Sequence, residues 1–466
     1  MAIVGAFVLP HPPLIIPSVG RGRERDIQDT VDAAEEIGRR IAALRPDTIV
    51  ISSPHTTLYR DYFHISPGAH AQGSFARFGA PQARYEVDYD VDFARRLSVR
   101  AEEAGIPAGT DYERAPELDH ATMIALHFIQ HHYTDFKAVR IGLSGLSSRT
   151  HYAIGKICQE VAAETGKRVV WLGSGDLSHK LLADGPYGFA PEGPRFDERI
   201  CSDFATGDLT DILDIDESFA DAAAECGLRS FQMMVGALDR TRVKSELLSY
   251  EGPFGVGYGV ASLTLEGEAG TDASLDRLAE FEERRTAALK KTKDAEDAYV
   301  RLARASLESW VTNHRRIKVP DGLDAEIVGR RAACFVSLKI DGRLRGCIGT
   351  LSPTKSSLAV EIIDNAISAG TRDPRFSPVR VSELKDIVYD VDVLSEPEPI
   401  LGTDDLDVKR YGVIVSTRDG RRGVLLPDLE GVDTVEDQVR IAADKGRIDL
   451  DFDDYQLERF EVVRHL

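Results

Sequence analysis

Four short apolar runs in the first half of the chain constrain its fold more than any other feature. Residues 3–9 (IVGAFVL), 47–52 (DTIVIS), 137–143 (KAVRIGL) and 168–172 (RVVWL) are rich in β-branched side chains and almost unbroken, as strands covered on both faces must be. Longer segments with helical spacing lie between them, and in residues 26–44 Ile27, Val31, Ala34, Ile37 and Ile41 share one stripe. This alternation predicts an α/β fold with a mainly parallel sheet flanked by helices. Residues 256–265 (VGYGVASLTL) read as its closing strand.

A chain of 466 residues exceeds one such domain of roughly 100–200 residues. From about residue 266 it turns to EGEAGTDASLDRLAEFEERRTAALKKTKDAED, whose charge and weak helical spacing predict a helical linker with few apolar positions to dock. The expected organisation is therefore a first domain over 1–268, a charged linker over 269–292 and a second domain over 293–466. Residues 295–311 place Tyr299, Leu302, Leu307, Trp310 and Val311 on one side of a helix. Asp341-Gly342 then separates two strands as a tight hairpin turn would. Strands at 387–394, 411–416 and 422–426, with helices near 357–370 and 434–445, make the second domain a smaller α+β unit.

Composition narrows the partners. Lys plus Arg total 57 against 77 for Asp plus Glu, a formal charge of -20, and such a field repels phosphate backbones and anionic lipid. Neither nucleic acid nor a membrane surface is expected. No apolar run approaches the roughly 18 residues that span a bilayer, and no basic stretch precedes the first apolar segment as in a secretory signal. Cys158, Cys201, Cys226, Cys334 and Cys347 contain no CxxC pair, which fits a reduced, cytoplasmic compartment better than a disulfide framework. Self-association is left open. There is no P-loop, and GVGYG at 255–259 lacks the dinucleotide-binding spacing.

In parallel sheets ligands bind beyond the carboxyl ends of the strands. Here the first run leads into Pro10-His11-Pro12-Pro13, the second into Ser53-Pro54-His55, and the fourth into Gly175-Asp176-Leu177-Ser178-His179. Three histidines thus converge on one edge. A fourth, His120, follows Asp119 at a helix start, where the carboxylate could orient the ring. Two imidazoles and one carboxylate on one face of an octahedron leave open positions for substrate and dioxygen. Glu251, within LSYEGPFG just before the closing strand, is the expected carboxylate.

The motifs PHPP, SSPH, ELDHA, GDLSH and YEGPFGVGYG, in this order over residues 1 to about 268, resemble the class III extradiol dioxygenase superfamily, the LigB-like fold that includes the Memo proteins. The resemblance implies non-heme iron(II) bound by His11, His55 and Glu251, with His179 as acid/base beside the metal and His120 approaching substrate or oxygen. The implied reaction is ring cleavage of a catechol-like or aminophenol-like substrate by dioxygen. Ala121 stands where glycine commonly follows the family's histidine, which bears on pocket shape. LRGCIGTL at 344–351, DPRF at 373–376 and GVLLP at 423–427 resemble the AMMECR-type domain. Joined to a Memo or LigB-like domain, it implies the AmmeMemoRadiSam system, and hence a Memo-like redox or scaffold role with a radical-SAM partner as the alternative. From the residues themselves, Arg345 and Cys347 lie two apart on a strand and share a face, where a cation beside the thiol would lower its pKa.

Overall fold

The computed structural model describes residues 2–429 and 431–466, which divide into two units, one ending at Arg285 and the other beginning at Thr286.

In the first unit the apolar runs form strands Ile3–Leu9, Thr48–Ser53, Lys137–Gly142 and Val169–Ser174 of one six-stranded sheet. Thr48–Ser53 pairs in parallel with both Lys137–Gly142 and Val169–Ser174, and Ile3–Leu9 pairs in parallel with Val169–Ser174. On the other side of Ile3–Leu9 run two antiparallel strands, Tyr258–Leu265 and then Val243–Glu251 at the edge. The four parallel strands therefore deliver Leu9, Ser53, Gly142 and Ser174 to a single edge.

Alternation along the strands divides the core. Ala6, Val8, Val50 and Trp171 point into one cluster, with Tyr152 and Phe231 from helices Ser148–Thr165 and Leu228–Ala237. Phe7, Leu9, Ile49, Ile51, Val170 and Leu172 point into another, against Ile37 and Ile41 of helix Gln28–Leu44 and Ile124 and Phe128 of helix His120–Gln130. Strands buried on both faces cannot carry a polar stripe, which is why these runs are so apolar.

The charged segment after residue 268 forms helix Arg277–Ala295, and its first turns pack on the first unit. Arg277 donates to the carbonyls of Leu238 at 2.6 Å and Thr241 at 2.9 Å, and Phe281 is buried. The division at Arg285 falls inside this helix.

The second unit is α+β. Its antiparallel sheet runs Arg343–Gly349, Cys334–Ile340, Val388–Leu394, Tyr455–His465, Tyr411–Thr417, Arg422–Leu425, with Glu398–Ile400 also on Tyr455–His465. Asp341 and Gly342 take φ of 51° and 75°, the left-handed pair a two-residue hairpin requires. Helices Ala298–Asn313 and Leu358–Thr371 cover one part of the sheet and Val435–Gly446 another. Among the described residues no helix is long and apolar enough to cross a membrane.

Candidate metal centre

His11 and His55 follow strands Ile3–Leu9 and Thr48–Ser53, which lie on either side of Val169–Ser174, and their Nε2 atoms lie 2.9 Å apart. His11 is held on two sides. Its Nδ1 meets Ser174 Oγ at 3.0 Å, and its peptide N–H donates to Asp176 Oδ1 at 2.6 Å. With Nδ1 engaged, Nε2 is the atom left to bind an ion, an arrangement that fixes the tautomer of a metal-binding histidine. Burial, reinforced by the other histidines, pulls the pKa of His11 well below its ordinary value, and burial lowers that of His55. Both shifts favour the uncharged rings, which meet edge-on with an interplanar angle of 89°.

The third member is Cys226. His11, His55 and Cys226 each offer a ligand atom, and these three atoms all lie within 4.8 Å of one another. Cys226 Sγ stands 3.5 Å from His11 Nε2 and accepts the Asp176 peptide N–H at 3.3 Å. Burial, and then the Asp176 and Glu225 carboxyls, push the thiol well above its ordinary pKa; a cation between the three donors would reverse that order. Cys226 reaches this edge because two glycines touch. A Cβ on Gly175, just past strand Val169–Ser174, would fall 2.1 Å from Gly227 Cα, so only bare backbone lets the Cys226 turn lie against the strand end.

Glu251 is not brought to the histidines. It ends the edge strand, two strands out from Ile3–Leu9, or roughly 10 Å at ordinary strand spacing. Its Oε2 accepts the Thr30 N–H at 2.7 Å and hydroxyl at 2.6 Å. Helix Gln28–Leu44 begins after Ile27, whose side chain cannot cap, so Glu251 satisfies an N–H that the helix leaves free.

His120 and His179 flank the pair without joining the three-donor group. The His120 ring is 4.2 Å from that of His55 and 5.6 Å from that of His11, with Phe78 beyond it at 5.4 Å. Burial and the His55 charge pull its pKa down to about 4. Asp119 does not reach the ring; it caps helix His120–Gln130, accepting from Thr122 N at 3.0 Å. His179 donates Nδ1–H to the Ala224 carbonyl and stacks edge-on with Tyr187 at 5.1 Å. Its Nε2 is left as the acceptor, and burial lowers its pKa. Ala121 is buried in the core.

In the second unit Arg345 does not serve the thiol. Its guanidinium forks onto Glu383 at 2.7 and 3.2 Å. Cys347 Sγ meets Ser337 Oγ at 3.2 Å, and its N–H donates to Asp373 at 2.9 Å. Burial raises its pKa, which Ser337 and Arg375 only partly offset.

Sequence reasoning missed Cys226, which follows no strand and sits in AAAECGLRS without metal-ligand spacing. The pairing of Gly175 with Gly227 is the signal, and it exists only in three dimensions.

Residues 5–261 match the family described as the catalytic LigB subunit of aromatic ring-opening dioxygenase, and residues 300–465 match the AMMECR1 family. Protein CA_C1420 of Clostridium acetobutylicum is 41% identical over 100% of this chain and 99% of its own. A Thermotoga maritima protein is 52% identical over 36% of this chain and 98% of its own. Among solved structures, a Pyrococcus horikoshii protein, PH0010, shares 29% identity over 36% of this chain and 88% of its own, with a TM-score of 0.33.

Proposed function

In a chain that belongs to the family joining the catalytic LigB subunit of aromatic ring-opening dioxygenase to an AMMECR1 domain, we propose that the first unit is a metal-dependent oxidoreductase whose ion is held by His11, His55 and Cys226. The convergence of those three donor atoms within 4.8 Å supports this reading most directly.

The residues do not compose the two-histidine, one-carboxylate set expected for iron(II), because Glu251 is committed to Thr30. Two imidazoles and a thiolate fit a thiophilic first-row ion such as iron or copper. When bound, such an ion supplies one-electron chemistry and polarises coordinated oxygens. The chain's own groups do the rest. Ser174 orients His11, and the Ala224 carbonyl orients His179 so that its free Nε2 can take a proton from a substrate hydroxyl. His120 and Phe78, with ring centroids 5.4 Å apart, form an apolar and weakly basic wall suited to a small aromatic ring.

The thiol in the donor set favours a Memo-like redox role acting with a radical-SAM partner. The oriented His179 favours a second reading, extradiol cleavage of a catechol-like substrate by dioxygen. One experiment separates them. Anaerobically purified protein should carry one iron or copper per chain, Cys226→Ser should lose most of it, and Glu251→Gln should keep it. Catechol is then added with dioxygen. Oxygen uptake matched by ring-opened product marks the dioxygenase, whereas reversible oxidation of the metal with intact catechol marks the redox protein. A parent protein without metal, or metal retained by Cys226→Ser, overturns the three-donor site.

A further inference from the structure

Arg140 lies in the middle of the apolar strand Lys137–Gly142 and is 1% exposed. A guanidinium that deep must have its donors satisfied. Nε donates to Ser66 Oγ at 2.6 Å, one terminal nitrogen to the Glu117 carbonyl at 2.8 Å and the other to the Ala115 carbonyl at 3.0 Å. The first terminal nitrogen also faces Asp119 Oδ2 at 3.5 Å, and Glu113 lies 3.8 Å from the second. One side chain therefore gathers the stretch 113–119 that leads into His120.

The chain of contacts continues. Asp119 Oδ1 accepts the Ser53 hydroxyl at 2.8 Å, and Ser53 Oγ in turn accepts the His55 peptide N–H at 3.2 Å. Ser53 is fully buried at the end of strand Thr48–Ser53. His55 and His120 come from segments 65 residues apart in sequence, yet their rings are 4.2 Å apart. The path from one backbone to the other runs through Ser53 and Asp119, with the Arg140 fork beneath.

We propose that Arg140 is a positioning residue that, through Asp119 and Ser53, sets the placement of His55 against His120. The inference rests on the reading of His55 as a metal donor. A planar fork is needed because three oxygens at different angles are gathered at once, which the point charge of lysine cannot do. Outer partners of this kind are worth about 10- to 100-fold in metal affinity.

The test uses the full-length chain with Arg140→Lys, Ser53→Ala and the double variant, and Cu(I) as the probe. Each single change should weaken Cu(I) binding by about 10-fold or more, and the double change no further than the larger single one, since both cut one path. A second reading needs no metal. In the metal-free protein the imidazole NMR signals of His55 and His120 should move in both single variants while that of His179, held separately by Ala224, stays. Unmoved His55 and His120 signals in folded Ser53→Ala protein overturn the proposal, as do single effects on affinity that multiply in the double variant. If Arg140→Lys does not fold, the Ser53→Ala spectra decide alone. A parent protein that binds no Cu(I) would defeat the metal reading, while the imidazole signals would still decide the role of Arg140.

Discussion

A carboxylate chosen for a metal and found capping a helix shows how much a single residue's meaning depends on its neighbours. Glu251→Gln should cost about 1 kcal/mol in chemical denaturation, the usual worth of a lost helix cap, and leave metal content unchanged. His127 offers a second residue-level test. Burial and then the His131 charge lower its pKa to about 4, and Tyr85 engages its Nδ1 at 2.9 Å. The unfolded chain takes up the proton near pH 6.5, so the unfolded state binds more protons below that value. The stability that a neutral His127 contributes is thus present above about pH 6.5 and is lost as pH falls toward about 4. Denaturation midpoints should drop between neutral pH and about pH 5. His127→Gln, which keeps a partner for Tyr85 and has no proton to gain, should flatten that drop, and an unchanged slope would exclude His127 as its source.

At the scale of elements, the apolar strands and the amphipathic helix Gln28–Leu44 were legible because burial on both faces, or on one stripe, leaves a periodic trace. The edge strand Val243–Glu251 (VKSELLSYE) was not, since most of its residues are only half-buried and its polar positions follow no clean alternation. Tyr455–His465 is likewise charged along its length. The turn that carries Cys226 depends on the approach of Gly175 to Gly227. Gly175→Ala should push that turn away and lower metal occupancy several-fold, with His11 and His55 intact. Full occupancy in a folded Gly175→Ala protein would show that Cys226 is not a ligand.

At the scale of the whole molecule, the charged segment is more than a tether. Arg277 and Phe281 dock helix Arg277–Ala295 on the first unit, so a first-unit fragment cut after residue 292 should fold. One cut near Asp272 loses two charged hydrogen bonds and a buried aromatic ring, and should be less stable by about 3 kcal/mol or more. Equal denaturation midpoints for the two fragments would refute the docking. The second unit has hydrophobic clusters built from residues 298 onward, and its fragment from 293 should fold without metal.

What the sequence by itself determined was the alternation of strands and helices, the single edge to which His11, His55 and the 175–179 segment are delivered, and the hairpin at Asp341-Gly342. Each is written locally, in side-chain periodicity or in one dipeptide's backbone preference. Only the tertiary structure decided which third residue joins the histidines. Strand order puts Glu251 two positions from His11, and a contact between two glycines 52 residues apart brings Cys226 in. Neither strand order nor close backbone approach leaves a periodic mark in one chain, because both are set by packing between segments remote in sequence.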